Sequence, residues 1–206
     1  MIISLVNQKG GAGKTTVAIN LADCLSRKKY STLLIDGDPQ GSVLQWQSIA
    51  DTNAFDVKHY PSPTFDASIK DLAKGYDHVV VDAPPAMGEI TRSILAVSKL
   101  AIIPVGPSPL DIWSSKETLS LLRVARKRNR KLIGKLLITR KIPTTRLARE
   151  AREATETYKM KVFDTEISQR IAFVEAMIAG LSVLQYAPSS KAAREVESLC
   201  EEVVMS

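Results

Sequence analysis

The sequence is poor in cysteine and lacks long apolar runs. Its 206 residues include two cysteines, Cys24 and Cys200, and neither belongs to a C-x-x-C pair. A structural disulfide and a cysteine-ligated metal are therefore poorly supported. No apolar run approaches the roughly 18–20 residues that a membrane-spanning helix requires. Because the first apolar run begins at residue 2, there is also no room for a signal peptide. We therefore expect a cytoplasmic protein.

Short apolar runs alternate with helical patterns along the whole chain. This alternation predicts an α/β fold, a doubly wound and mostly parallel sheet with helices on both faces. The expected strands are 2–6, 32–36, 55–59, 78–82, 100–105, 133–139 and 161–165. The expected helices include 14–28, 89–98, 110–128, 145–158, 170–179 and 190–205. No linker divides the chain, so we expect residues 1–206 to form one domain without an N-terminal helix-turn-helix extension.

The first predicted strand leads into a glycine-rich loop that is typical of phosphate binding. A strand, a turn of this composition and a helix form the context of a P-loop, although Gln8 stands where the ordinary pattern has glycine. The glycines let backbone N–H groups approach phosphates, and Lys14 and Thr15 supply a charge for the β- and γ-phosphates and a hydroxyl for Mg²⁺. The predicted nucleotide-binding residues are Lys9, Gly10, Gly11, Ala12, Gly13, Lys14, Thr15 and Thr16. The loop therefore predicts a site for ATP or ADP with Mg²⁺.

Carboxylates follow two further apolar runs. Asp36 and Asp38 come at the end of the predicted strand 32–36, and Asp82 ends the predicted strand 78–82. Because the carboxyl ends of parallel strands meet at one edge of a sheet, we expect these side chains beside the P-loop, where Asp82 can organise Mg²⁺. For any single aspartate, a role as a loop or helix cap is the alternative.

These segments together resemble the ParA/MinD family of deviant Walker A ATPases, most closely its small plasmid-partition ParA proteins of the ParF type. The matching segments are Lys9–Thr16, Asp36–Gln40, Val79–Pro85, Ile102–Val105, Pro107–Asp111 and Leu136–Arg140. The turn from Tyr186 to Ser189 also resembles a family segment that borders the nucleotide base, which makes Pro188 a candidate nucleotide contact.

The resemblance implies a role for each matching residue. Lys9 corresponds to the signature lysine, which reaches across an ATP-sandwich dimer to the phosphates of the other subunit. Asp38 corresponds to the residue that positions the attacking water. Asp36 and Asp82 would organise Mg²⁺ through water, with Thr15 as a direct ligand. The predicted catalytic residues are Lys9, Lys14 and Asp38.

Positive charge is concentrated between residues 123 and 161. This segment holds fourteen Lys or Arg and three Glu, a net charge of +11, which leaves −5 for the rest of a chain of +6. Such asymmetry indicates a surface for nucleic acid. The candidate DNA contacts are Arg140, Lys141, Arg146, Arg149 and Arg152. The alternative is a solvated helix, because the last three can pair with glutamates four residues later. No aromatic residue is interleaved among them, so stacking on single strands is not indicated.

The resemblance implies an ATP-dependent DNA-segregation ATPase that hydrolyses ATP to ADP and phosphate with Mg²⁺. Its ATP-bound homodimer would bind duplex DNA without sequence preference, and a centromere-binding ParB-type partner would stimulate hydrolysis. The resemblance therefore also implies that the protein associates with the nucleoid. The alternative is a MinD-like or other cargo-positioning ATPase at a membrane or cell pole, and a metabolic P-loop enzyme is a third class. Membrane attachment in the MinD branch uses a basic C-terminal helix, whereas residues 195–206 carry four Glu and no Lys or Arg, so no membrane partner is expected.

Overall fold

The protein is built on a parallel sheet, seen in a computed structural model that describes residues 1–50, 54–86, 88–142 and 160–206. Within these residues, seven strands form one sheet in the order β3-β2-β4-β1-β5-β6-β7, and each neighbouring pair is parallel. The strands are β1 (Ile2–Leu5), β2 (Thr32–Asp36), β3 (Asp56–His59), β4 (His78–Asp82), β5 (Leu100–Val105), β6 (Ile133–Ile138) and β7 (Lys161–Val162). The predicted α/β class is confirmed.

Helices cover both faces of the sheet. They are α1 (Lys14–Arg27), α2 (Ser42–Ile49), α3 (Phe65–Leu72), α4 (Glu89–Val97), α5 (Pro109–Ser114), α6 (Lys116–Arg128), α7 (Ile171–Ile178), α8 (Val183–Tyr186) and α9 (Lys191–Val204). Successive strand residues point to opposite faces. In β4, Val80 therefore packs in the core with α1, α2, α7, α8 and α9, while Val79 and Val81 pack in the core with α3, α4 and α6. Burial of β2, β4 and β5 along their whole length is the pattern of a sheet covered on both sides.

Three parts of the secondary structure differ from the prediction. The predicted helix 110–128 is two helices, α5 and α6, with a turn at Ser115, and the Ser114 hydroxyl donates to the carbonyl of Asp111 beside this turn. The last strand ends at Val162 rather than at residue 165. Helices α2, α3 and α8 were not among those named from the sequence. The predicted helix 145–158 lies outside the described residues.

The topology places the functional residues at one edge of the sheet. Asp36 ends β2 and is the register partner of Asp82, which ends β4, and Leu5 at the end of β1 is also paired with Asp82. The P-loop leaves the central strand β1 at this carboxyl edge. Parallel pairing therefore brings together three segments that lie far apart in the sequence, as the strand-end rule predicts. None of the described helices is sufficiently long and apolar to cross a bilayer.

Candidate active site

The glycine-rich loop leaves open space around its backbone. Gly11 and Gly13 have φ angles of 70° and 92°, in the left-handed region that glycine adopts most easily. A Cβ atom built on either residue, or on Gly10, would meet nothing within 4 Å. Gly13 is also the N-cap of α1 and makes no side-chain cap, so the first N–H groups of a 14-residue helix point toward this space. The arrangement suits a phosphate group.

Buried polar side chains hold the glycine-rich loop in place. Thr139 Oγ1 donates to the carbonyl of Ala12 at 2.9 Å. Asn7 donates from Nδ2 to the carbonyl of Pro104 at 2.6 Å and accepts the N–H of Lys9 at 3.1 Å. The loop is therefore held by the ends of β5 and β6 before any ligand binds, which lowers the entropic cost of ordering it around phosphates.

A cavity of about 380 Å³ opens beside the loop. One wall is formed by Gly11 through Val17, which includes most of the predicted nucleotide-binding residues. The other wall was not predicted from the sequence. It consists of Thr139, Arg140, Ile167, Ser168, Gln169, Arg170, Phe173 and Val174. Neither Lys9 nor Gly10 is among the lining residues, and Pro188, in the turn after α8, is not among them either. The role of Pro188 stays a prediction.

Lys14, Thr15 and Asp82 form the polar floor of the site. Lys14 is 8% exposed, and its burial lowers the pKa of the amine against the opposing charges of Asp82 and Asp38. Asp82 is 1% exposed, and burial raises its pKa to about 7, although a hydrogen bond from Thr15 Oγ1 and the charge of Lys14 act in the opposite direction. The distance from Thr15 Oγ1 to Asp82 Oδ2 is 2.6 Å.

These residues fit a magnesium ion. Asp82 Oδ1 is buried and has no hydrogen-bond partner in the described part of the chain. This oxygen lies next to a hydroxyl and a buried lysine. Burying it without a partner costs free energy unless a cation or a proton compensates its negative charge. Mg²⁺ prefers oxygen ligands and keeps several waters, so Thr15 and Asp82 would hold it together with nucleotide phosphates.

Asp36 has a structural role that the sequence did not show. Its Oδ1 accepts the N–H of Asp38 at 3.1 Å, and its Oδ2 accepts the N–H groups of Val43 and Leu44 at 2.9 and 3.1 Å. The carboxylate therefore caps the N-terminus of α2 and is saturated by backbone donors. Its predicted part in organising Mg²⁺ through water stays a prediction.

Asp38 lies in the loop between β2 and α2, outside the cavity wall. Its Oδ1 accepts the N–H of Gln40 at 3.0 Å, and its carbonyl contacts His59 Nε2 at 3.1 Å. It borders a neighbouring groove that includes Pro39 and Pro84. The Asp38 side chain is therefore near enough for its charge to act on Lys14 and Asp82, but it does not line the cavity beside the loop.

Lys9 is bound within its own chain. Its Nζ forms an ion pair with Asp111 Oδ1, and Arg140 Nη2 lies 3.7 Å from the same oxygen. The Lys9 side chain is 39% exposed, whereas that of Asp111 is 8% exposed. Burial acts to raise the pKa of Asp111, but hydrogen bonds from Lys9 and Ser108 and the charges of Lys9 and Arg140 outweigh it, so the pKa lies below its ordinary value. A Cβ atom at Gly106 would overlap this carboxylate.

The candidate DNA contacts differ in their surroundings. Arg140 pairs with Asp111 and also lines the cavity, and Lys141 pairs with Glu166. The other three candidates, Arg146, Arg149 and Arg152, lie outside the described residues. A second basic group is exposed at the end of α6 and in the turn that follows it: Arg123, Arg126, Lys127, Arg128, Arg130 and Lys131. It precedes β6 and therefore lies at the amino edge of the sheet, opposite the cavity.

A family model described as the CobQ/CobB/MinD/ParA nucleotide binding domain matches residues 3–183. The chain belongs to this family. The match covers the loop, both strand-end carboxylates and the unpredicted cavity wall. It confirms the resemblance to ParA and MinD proteins. Family members that resemble this chain include partition and division proteins with bound nucleotide.

Two curated relatives of this MinD/ParA-family chain are similar along nearly its whole length. The maintenance of carboxysome distribution protein A of Halothiobacillus neapolitanus is 31% identical over 209 residues, covering 99% of this chain and 96% of the relative. The chromosome-partitioning ATPase Soj of Thermus thermophilus is 30% identical over 236 residues, covering 98% and 94%.

Solved structures show the same fold. A Borrelia burgdorferi structure described as a plasmid partition protein bound to AMPPNP superposes with a TM-score of 0.81 at 23% identity, covering 99% of this chain and 98% of the other. The septum site-determining protein MinD of Pyrococcus horikoshii, complexed with Mg-ADP, gives a TM-score of 0.79 at 21% identity, covering 98% and 95%. These ligands are of the kind that the sequence predicts for this chain.

Asp82→Asn is expected to stabilise the metal-free protein while abolishing Mg²⁺-dependent ATP hydrolysis. Because the pKa of Asp82 is raised to about 7, the folded state keeps a proton that the unfolded state loses above about pH 4. The free energy of unfolding therefore falls as pH rises through this interval, by at most roughly 4 kcal/mol. The asparagine variant lacks this dependence, so its melting temperature in EDTA should exceed that of the wild type above neutral pH.

The matched control is Asp71→Asn, which changes an exposed aspartate of α3. Thermal unfolding in EDTA across the pH range, followed by ATPase assays with Mg²⁺, measures both effects. An Asp82→Asn variant with the pH dependence of the wild type would show that the carboxylate is compensated in the metal-free protein.

Proposed function

We propose that the chain is an ATP-dependent DNA-segregation ATPase that works as an ATP-sandwich homodimer. The observation that carries this proposal is the position of Lys9. It belongs to the phosphate loop, yet it lies outside the cavity of its own loop and extends to Asp111. A lysine that does not serve its own phosphate site is available to the phosphates of a second subunit.

In the proposed mechanism, each catalytic step uses a charged or polar group of the site. The loop N–H groups and Lys14 bind the phosphates of ATP, and Thr15 and Asp82 would hold Mg²⁺, which would supply positive charge beside those phosphates. Asp38 orients a water for attack on the γ-phosphate. Lys9 of the partner subunit stabilises the charge that develops in the transition state, which makes hydrolysis depend on dimerisation. ADP and phosphate then leave, and the dimer opens.

DNA binding is the second part of the proposal. The segment 123–161 supplies the charge for non-specific contact with the duplex backbone. In its described part, the six basic residues at the end of α6 and in the following turn are exposed and form no ion pair with another described residue. Arg140 and Lys141, in contrast, have internal partners. A ParB-type centromere-binding protein would stimulate hydrolysis and release the dimer from the nucleoid.

A second candidate is the positioning of a protein-based cargo. The 31% identity to a carboxysome-distribution protein over 99% of the chain favours it. Both candidates use the same ATP-dependent dimer on DNA and differ in the cargo that the partner protein marks. Loss of plasmids after deletion of the gene indicates the first, and misplacement of a protein assembly indicates the second.

A membrane-bound version of the cargo hypothesis has less support. The apolar face of α9 is buried in the core through residues that include Val196, Leu199 and Val203. Two of its glutamates are also engaged, since Glu195 binds Arg170 and Glu202 accepts the N–H of Thr165. A helix docked in this way has no apolar face to insert into a bilayer. Flotation with anionic lipid vesicles and ATP tests this point.

The DNA proposal predicts binding that is ATP-dependent and sensitive to salt. Affinity for an arbitrary duplex should fall steeply as salt rises, because each phosphate contact releases a counterion. Replacing Arg146, Arg149 and Arg152 together by alanine should weaken binding by roughly 10- to 100-fold at low salt. Fluorescence anisotropy of a labelled duplex measures the affinity for DNA with a slowly hydrolysed ATP analogue and with ADP.

A second triple alanine variant, at Arg126, Lys127 and Arg128, shows whether the basic group at the end of α6 contributes to DNA binding separately from Arg146, Arg149 and Arg152. The control replaces Lys70 and Lys74, which are exposed near the end of α3. Binding that ignored salt, or that survived both triple replacements, would contradict DNA contact by this segment.

A further inference from the structure

The short helix α5 carries two exposed apolar side chains next to a buried charge. Leu110 and Trp113 are 67% and 56% exposed, whereas Asp111 between them is 6% exposed. The other tryptophan of the chain, Trp46, is only 3% exposed. A tryptophan and a leucine that face solvent on one turn of helix leave a large apolar area unburied, and such areas mark interaction surfaces.

This surface lies directly beside Lys9. Asp111 binds Lys9 and lies one residue after Leu110 and two before Trp113, so all lie within about one helical turn, or roughly 5 Å along the axis. The corner between α5 and α6 is also attached to the loop, because Thr118 Oγ1 accepts the N–H of Gln8 at 3.3 Å. The apolar residues therefore keep a fixed position relative to Lys9.

We propose that Leu110 and Trp113 are an apolar anchor of the ATP-dependent dimer, where they pack against a second copy of this chain. This inference rests on the proposed function, in which Lys9 crosses to the other subunit. A surface that surrounds a crossing side chain becomes covered when the subunits close. Tryptophan is enriched among interface residues that dominate binding energy, because it buries a large area with few rotatable bonds.

Charge at the border of this surface supports a second copy as the occupant. Lys116 and Glu117 begin α6, are both solvent-facing and form no ion pair with another described residue. Adjacent charges of opposite sign are self-complementary across a two-fold axis, since the lysine of one copy can face the glutamate of the other. An apolar centre with such a polar border is the usual anatomy of a specific interface.

Tryptophan fluorescence provides the first test. In a Trp46→Phe background, Trp113 is the single tryptophan. With a slowly hydrolysed ATP analogue, its emission should shift to the blue over the protein concentrations at which light scattering reports dimers. ADP should produce no shift. Dimers that form without any change in Trp113 emission would overturn the inference.

Variants provide the second test. Trp113→Ala and Leu110→Asp should each raise the dissociation constant of the ATP-bound dimer about tenfold or more, measured by analytical ultracentrifugation, without changing nucleotide affinity of the monomer. The control is Met205→Asp, which alters a residue 85% exposed at the opposite edge of the sheet, next to Ser206 and its contact with Lys99.

The outcomes separate this inference from the proposed function. A wild-type protein that stays monomeric with ATP analogue overturns both. A dimer that forms equally well in the Trp113→Ala and Leu110→Asp variants overturns the apolar anchor alone. If Trp113→Ala dimerises normally but loses stimulation by its activating protein, the surface belongs to that protein, and the second-copy proposal is wrong.

Discussion

Lys9→Ala is expected to abolish ATP-dependent dimerisation and to reduce stimulated hydrolysis by roughly 10²- to 10³-fold or more, the range found when one transition-state cation or donor is removed. The fold should survive, because the Lys9 side chain is 39% exposed and Asp111 keeps Arg140 at 3.7 Å as a counter-ion. The loss of stability should be smaller than for a fully buried ion pair, because Lys9 is partly exposed and Arg140 remains near Asp111. Sedimentation with ATP analogue and steady-state ATPase assays measure these effects.

A companion variant, Asp111→Asn, should act in the opposite direction. It removes the charge that holds Lys9 within its own chain, so dimers should form at lower ATP or protein concentration. Lys70→Ala, an exposed lysine of α3, is the control for loss of charge. If Lys9→Ala dimerised and hydrolysed ATP like the wild type, the lysine would be an ordinary surface residue and the sandwich mechanism would be wrong.

Asp38→Ala should trap the ATP-bound dimer on DNA. The side chain lies outside the cavity wall, so ATP affinity should be retained, while hydrolysis should fall by roughly 10²- to 10⁴-fold because the attacking water loses its orienting carboxylate. The measurement is the rate at which preloaded protein leaves immobilised duplex DNA after free ATP is removed. We expect dissociation to slow by about the same factor as hydrolysis.

The control for this experiment is Asp71→Ala, an exposed aspartate on α3. Normal hydrolysis by Asp38→Ala would show that another group positions the water. Slow hydrolysis with rapid release from DNA would show that release does not depend on the chemical step.

The centre of the sheet was predictable because strands β1, β2, β4 and β5 are short, mainly apolar and bounded by clear breaks. Once those strands were recognised, the strand-end rule placed Asp36 and Asp82 together, and the structure shows them as register partners. The break at Ser115 was not predictable from periodicity, because a serine can bond to a main-chain carbonyl inside a helix as well as beside a break, as Ser114 does here. Helix α2 depends on capping by a carboxylate six residues before it, a contact that no local propensity reports.

Half of the cavity was predictable and half was not. The loop has its own motif, whereas the opposite wall is assembled by backbone pairing between the end of β6 and residues 167–169, as in the 2.8 Å bond from the N–H of Gln169 to the carbonyl of Lys141. The strand-end rule, applied to β6, would have pointed to Thr139 and Arg140. No sequence signal marked Phe173 or Val174. The Asp111 contact of Lys9 was also missed, because it joins residues 102 positions apart.

The capping of α2 by Asp36 has a consequence for the rate of the enzyme. The segment that carries Asp38 is pinned at its start, where the N–H of Gly37 donates to the carbonyl of Asp82 at 2.9 Å, and at its far end, where Val43 and Leu44 donate to Asp36. Because the segment is held at both ends, the Asp38 carboxylate has little freedom to move when a triphosphate binds. In the proposed mechanism, the rate of hydrolysis would therefore depend on the arrival of the water and of the second subunit at Asp38, rather than on movement of Asp38 itself.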